Sequence, residues 1–142
     1  HRGEMQLDFL NKTLIADYSI GDIYELRATA LDDNGVAIAK EIIGRHIFKG
    51  NDPVIIDELY VDMETGVGLV SGQGSDPQIM LSISRDNGKT WGNELWTDLG
   101  KIGKYMTRVT WRRLGIGYDF LFKIRVTDSV KFVLTFAAIK TQ

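Results

Sequence analysis

The sequence predicts an all-β fold, an antiparallel β-sandwich of about seven to nine strands. Apolar residues recur at every second position over much of the chain, which is the period of a half-buried strand. Fifteen glycines and only two prolines punctuate those runs. Few segments carry a helical pattern, so apolar faces of this kind are buried by packing one sheet on another. Part of a β-propeller is the main rival, but no second copy of any segment stands at a blade-like spacing.

From the N-terminus, His1, Arg2 and Gly3 show no strand or helix pattern and read as a remnant of expression or the edge of a cut. The stretch MQLDFLNKTLIADY, residues 5–18, is expected to form a short helix or an irregular arm. From Ile23 to Phe48 two strands are expected around Asp32, Asp33, Asn34 and Gly35, because Asn and Gly tolerate the left-handed angles of a hairpin turn. A short helix over 36–43 is the alternative there, confined by Gly35 and Gly44. After Pro53 the run VIIDELYVDME alternates Ile55, Asp57, Leu59 and Val61 with Ile56, Glu58, Tyr60 and Asp62. A bulge midway would exchange the faces. Residues 66–77, GVGLVSGQGSDP, read as a long loop. Its glycines lack the G-x-G-x-x-G order between strand and helix that a phosphate cradle needs.

The second half is more regular. Ile79, Leu81 and Ile83 share one strand face; Val109 and Trp111 oppose Arg108, Thr110 and Arg112. Phe120, Phe122, Ile124 and Val126 oppose Leu121, Lys123 and Arg125. The run from Val130 to Ile139 alternates less strictly and is expected to be covered on both faces.

The length of 142 residues fits one β-rich domain over 4–142, taken as a fragment of a longer protein. Zero cysteines exclude disulfides and thiolate zinc sites. Seventeen basic and nineteen acidic side chains give a net charge of −2, against the cationic surface that non-specific duplex binding needs. No stretch is apolar for long enough to span a membrane as a helix.

The segment SRDNGKTWGN, residues 84–93, is the first candidate site. A short Asp carboxylate there can accept backbone N–H groups of its own turn, while Gly88 supplies permissive angles and Ser84 and Thr90 close the ends. Trp91 can fold back on the sheet. Ser84, Asp86, Gly88, Thr90 and Trp91 together resemble the Asp-box of sialidases, a structural turn in that family set apart from its catalytic centre. The resemblance implies a turn, not an enzyme.

Other candidates are weaker. Asp57, Glu58, Asp62, Glu64 and Asp76 cluster in sequence, yet show neither an EF-hand pattern nor a catalytic pairing. His46 has no evident metal or carboxylate partner, and Ser71 and Ser75 lack a nucleophile-elbow context. No catalytic residue, metal ligand or cofactor is therefore assigned. Lys101, Lys104, Arg108, Arg112 and Arg113 are interleaved with Tyr105, Trp111 and Tyr118. They suit ion pairs within the sheet or between subunits, and secondarily contact with nucleic acid.

From Tyr60 onward several motifs occur in series. An acidic-glycine run covers Asp62, Glu64, Thr65, Gly66, Val67 and Gly68, followed by Asp76-Pro77, the Ser84–Trp91 turn, and a basic strand with Gly100, Lys101, Gly103, Arg108, Trp111, Arg112, Arg113 and Gly115. Over residues 60–137 this series resembles the C-terminal part of the tail hub proteins of short-tailed bacteriophages, also described as packaged-DNA stabilisation proteins. The resemblance implies a structural part of the virion tail, made in the host cytoplasm and assembled as a homo-oligomeric ring, expected to be a hexamer. Such a ring closes the portal channel and links the portal-adaptor assembly to the distal tail, beside packaged DNA. Arg108, Arg112, Arg113, Gly66 and Gly68 are the candidate interface residues. A carbohydrate-binding or sialidase-like module is the alternative.

Overall fold

The computed structural model describes residues 3–142; His1 and Arg2 of the suggested remnant lie outside it, and Gly3 opens the first strand. The chain divides into two compact units, His1–Ala37 and Ile38–Gln142, a boundary that strand periodicity alone does not mark. No helix occurs among the described residues.

The first unit holds β1 (Gly3–Phe9), β2 (Lys12–Asp17) and β3 (Ile23–Leu26) in an antiparallel sheet of order β1-β2-β3. Residues 5–18 thus form a hairpin, not the expected helix or irregular arm. Phe9 pairs with Lys12, which leaves Leu10 and Asn11 as a two-residue turn with φ of 48° and 63°. Positive φ at both turn residues matches the right-handed twist of paired strands. Leucine is a rare choice there, so the turn is hidden in the sequence. The turn at Asn34-Gly35 does lie where the sequence places it, between β4 (Asp32–Asp33) and β5 (Val36–Ala37), with Gly35 N–H donating to Asp32 Oδ1 at 3.0 Å. Its strands are only two residues long, however, and β3 pairs with β2 instead of joining that hairpin.

The second unit contains β6 (Lys40–Ile43), β7 (Ile47–Phe48), β8 (Val54–Met63), β9 (Gln78–Ser84), β10 (Leu95–Asp98), β11 (Val109–Gly117), β12 (Asp119–Val126) and β13 (Leu134–Thr141). The helix considered for 36–43 is replaced by β5 and β6. One sheet runs β10-β9-β12-β6, with β7 also on β12; the other runs β11-β8-β13. Alternation supplies the core between them. Ile79, Leu81, Ile83, Phe120, Phe122 and Ile124 come from the first sheet, and Val54, Ile56, Leu59, Val61, Val109, Trp111 and Leu114 from the second. This is the β-sandwich that the sequence predicts. At the β10–β11 margin, Trp111 Nε1–H donates to the Leu95 carbonyl across the sheets at 2.9 Å.

The face of β8 changes midway. Val54 and Ile56 point inward, then Leu59, Val61 and Met63 do, because the pairing to β13 skips a residue between Glu58 and Ile56. β11 carries an extra residue at the same level: its register with β8 shifts between Arg112 and Gly115, and Arg113 sits at φ 59°. The extra residue moves the inward series from Val109 and Trp111 to Leu114. Such bulges re-aim side chains without ending a strand.

β13 differs from its expectation. It pairs only with β8 and is an edge strand, mostly exposed or half-buried, and so is not covered on both faces. The imperfect alternation of its sequence reflects a margin and not a buried centre.

Candidate functional site

Four places in the second unit bear on function: the turn after β9, the paired glycine loops at the other end of the sandwich, the outward face of β11-β8-β13, and the apolar gap between β6 and β13.

At the turn, Asn87 and Gly88 take φ of 63° and 81° and send the chain back. Ser84 Oγ–H donates to Asp86 Oδ1 at 2.8 Å, and Gly88 N–H donates to Ser84 Oγ at 2.9 Å. Thr90 donates twice to the same carboxylate, its N–H to Oδ1 at 2.9 Å and its hydroxyl to Oδ2 at 2.6 Å. These donors, led by the Thr90 hydroxyl, hold the Asp86 carboxyl down at about 2. A carboxylate held so firmly ionised is a poor proton donor at neutral pH. Its lone pairs are spent on its own loop. Trp91 is half-buried, with the Lys123 ammonium 4.4 Å from its ring centroid. Arg85, next to Asp86, donates from Nη2 to the Leu114 carbonyl at 2.6 Å and lies 5.5 Å over the Phe120 ring.

His46 does have a carboxylate partner, which sequence reasoning missed. Its Nδ1 lies 2.9 Å from Asp119 Oδ1, 73 residues away. Only the pairing of β7 with the start of β12 brings them together, and no linear signal announces it.

The glycine loops are ordered by close approach. A Cβ on Gly66 would stand 2.7 Å from Tyr105 Cδ1 and 3.1 Å from the Lys104 carbonyl carbon; one on Gly68 would stand 3.0 Å from the Ile102 nitrogen. Thr65 Oγ1–H donates to the Tyr105 carbonyl at 3.0 Å. Residues 64–77 and 99–107 therefore interlock by backbone contact. Gly66 and Gly68 are themselves buried, while Val70, Ile102, Tyr105 and Met106 are exposed around them.

Of the candidate arginines, Arg108 and Arg112 line one surface and Arg113 is set apart from it. Arg112 and Thr110 face outward on β11, and Arg112 Nε–H donates to Glu58 Oε2 on β8 at 3.0 Å. Arg113 occupies the bulge. Arg108 lines a concave area of about 950 Å³ together with Arg112, Glu58, Asp62, Tyr60 and Phe136. The two aromatic rings lie 6.1 Å apart, tilted at 50°. Trp111 lies inward, away from these cations, so basic and aromatic residues adjacent in sequence do not form one platform.

The acids scatter as well. Asp57 accepts from Gln142 Nε2 at 3.1 Å, Glu64 pairs with Lys131 at 2.7 Å, and Asp76 with Lys101 at 3.3 Å. No group of three or more His, Asp or Glu among the described residues is arranged to hold a metal ion. Ile42, Ile47, Phe122, Leu134, Ala137 and Ile139 line the gap between β6 and β13, an apolar groove of about 570 Å³.

Residues 40–142 match the family described as bacteriophage P22 Gp10, beta-sandwich. The match begins at the first residue of β6 and takes in both sheets of the sandwich. No curated protein matches the chain. The chain belongs to the P22 Gp10 β-sandwich family.

Proposed function

We propose that this member of the P22 Gp10 β-sandwich family is a structural component of a phage tail hub. Copies of it join in a ring, expected to be a hexamer, that closes the portal channel and links the portal-adaptor assembly to the distal tail. It is made in the host cytoplasm and ends in the virion tail. The observation that carries the reading is the family match over the entire sandwich. The turn at Asp86 supports a non-catalytic role, since its carboxylate is engaged within its own loop in the manner expected of an Asp-box. A chain of this kind works by presenting shaped surfaces, and symmetry lets one patch serve every copy.

Arg108, Arg112 and Arg113 are the residues proposed to meet a neighbouring tail protein. Arg112 is already paired with Glu58, so its role is to keep a balanced charge pattern in register. Arg108 and Arg113 supply cations toward an acidic partner surface or the packaged DNA. The buried Gly66 and Gly68 act indirectly, by holding the loop rim that carries Ile102, Tyr105 and Met106.

Mixing the chain with portal-adaptor and distal tail proteins and measuring co-sedimentation tests the reading. A complex is expected, weakened by Arg108→Glu together with Arg113→Glu. No complex with any tail component, from a longer parent chain as well as this one, counts against it. A second reading, a carbohydrate-binding module, draws on the Tyr60 and Phe136 rings beside Arg108, Glu58 and Asp62. It expects saturable glycan binding that Tyr60→Ala and Phe136→Ala abolish. Trp111 is buried and is no reporter of such binding; the exposed Trp96 serves as the fluorescence control.

A further inference from the structure

The sandwich is closed along one side and open along the other. On the closed side β10 meets β11, where Trp111 Nε1–H donates to the Leu95 carbonyl. On the open side run β6 and β13, each paired through one edge only among the described residues, β6 with β12 and β13 with β8. Between them lies the apolar groove of about 570 Å³. Its floor is core, formed by the buried side chains of Leu59, Phe122 and Ile124. Ala137 accounts for the gap. Register sets it across from Val61, on the inward series of β13 with Ile139, where a larger side chain would fill the space. Protein interiors are packed to the density of organic crystals, so this side has the shape of a layer with one strand left out.

The edge of β13 is open to pairing as well. Free edges are ordinarily blunted by shortness, charge, proline or a bulge. β6 and β10 are four residues long, and β11 steps out at Arg113. β13 runs for eight residues without proline, its one charge is Lys140, and its register with β8 is unbroken from Phe136 to Lys140. Charge narrows what fits beside it. Arg45 is the one charged residue lining the groove; it is exposed, and no ion pair holds it among the described residues. The charges around it are engaged elsewhere. Lys40 donates to the Asp128 carbonyl at 3.0 Å, Glu41 lies across from Arg125, and His46 pairs with Asp119. Lys123 stands over Trp91, and Lys140 lies across from Glu58. A guanidinium left over at the mouth of an apolar slot calls for a carboxylate. The long edges of the sandwich do not supply one, since β11 carries Arg112 and Arg113 and β13 carries Lys140.

We propose that this slot takes an extended segment of another protein as an added strand. The segment pairs its backbone with the free edge of β13, sets every second side chain, apolar, into the groove over Ala137, and places a carboxylate beside Arg45. Backbone pairing supplies the affinity, and the alternate side chains with the one carboxylate supply the selectivity. The proposal does not rest on the tail-hub reading, and its contact is separate from the surface of Arg108 and Arg112.

The test uses the full chain and a fluorescent, end-blocked probe peptide in which valine alternates with threonine and the last residue is glutamate. Anisotropy is expected to show saturable binding. Three companion peptides are expected to bind at least tenfold more weakly: one with serine for valine, one ending in lysine, and one N-methylated along its backbone. The last keeps the apolar side chains but cannot pair with a strand edge. Ala137→Leu, which fills the groove, is expected to weaken the probe at least tenfold with the unfolding midpoint kept or raised. Arg45→Glu, an exposed change, is expected to reverse the preference between the glutamate and lysine peptides. Amide exchange in β9 and β12 checks the fold of each variant, and Arg45→Glu alone decides should Ala137→Leu unfold. Equal binding of the N-methylated peptide overturns the proposal, as does binding indifferent to both variants, or none at about 1 mM probe. A second copy is the rival occupant, with Glu4 and Asp8 on its β1. Protection of β13 amides that rises with the concentration of the chain by itself would put a second copy in the slot and overturn the choice of another protein. Loss of binding to tail proteins with probe binding intact would strike the tail reading alone.

Discussion

The N-terminal sheet and the C-terminal sandwich use the same strand alphabet with opposite results. Met5, Leu7 and Phe9 alternate as regularly as Ile79, Leu81 and Ile83, yet the first three are exposed and the last three buried. The difference lies in the layer opposite. β9 faces β8 and β11 across a filled core, whereas β1 has β2 beside it and its Met5, Leu7 and Phe9 are exposed among the described residues. Alternation specifies a strand; only a second sheet makes a core.

The sharpest way to break this contrast is to cut one apolar side chain in each unit. Ile56→Ala removes a fully buried branch between the sheets and is expected to cost about 2–5 kcal/mol. Leu26→Ala removes an exposed one on β3 and is expected to stay within about 0.5 kcal/mol. Urea unfolding followed by tryptophan fluorescence reads the first, all three tryptophans lying in the second unit; amide exchange within β2 reads the second. Similar losses in the two variants would show that the N-terminal unit shares the core of the sandwich.

The glycine loops come next in size. Gly100 has φ 90°, and a Cβ on it would stand 2.7 Å from Thr107 Oγ1 and 2.9 Å from the Lys104 carbonyl oxygen. Gly100→Ala is expected to cost about 2–3 kcal/mol, since backbone cannot step aside as a side-chain tip can. Gly72 has φ 78° with open space around it, so Gly72→Ala should cost only the angular strain, about 1 kcal/mol. Unfolding midpoints of the two variants separate close approach from backbone angle, and equal midpoints would remove the interlocked loops from the account.

The smallest effect is electrostatic. The Asp86 carboxyl sits at about 2, below its ordinary value of 3.8, because the folded turn binds its ionised form. Its stabilisation is therefore complete above about pH 4 and drains away as pH falls through about 2. Asp86→Asn should lower the unfolding midpoint at pH 5, with the gap to the parent protein narrowing by pH 2.5. A gap that does not change with pH would mean that the carboxylate charge does not hold the turn.

Much of the sandwich is written in the sequence, because strict alternation and a two-sheet core express the same constraint. The core-facing residues of β9 and β12 are legible in the alternation, but Met80, Ser82 and Leu121 on the other side are buried as well, which alternation does not announce. The turn at Asp86 is legible residue by residue. The N-terminal hairpin is not, since Leu10 occupies an angle that sequence patterns reserve for Asn or Gly. Nor is the face of β8, where one skipped pairing exchanges Ile55 for Ile56. The site is less legible still: His46 meets Asp119 only through strand pairing, and Gly66 and Gly68 look like slack in a loop that is in fact held by contact. Arg108 and Arg112 line one concave surface, but the Tyr60–Phe136 pair beside them comes from strands distant in sequence.

The bulge at Arg113 has a mechanical consequence. By stepping out of the ladder it turns the Leu114 carbonyl toward Arg85, the residue that enters the Asp86 turn from the other sheet. Between β11 and β10, Trp111 Nε1–H reaches the Leu95 carbonyl. Tension applied to either sheet thus passes to its neighbour through two polar fasteners as well as through the apolar core. Sliding the layers past each other would break these two directional bonds as well as the apolar contacts.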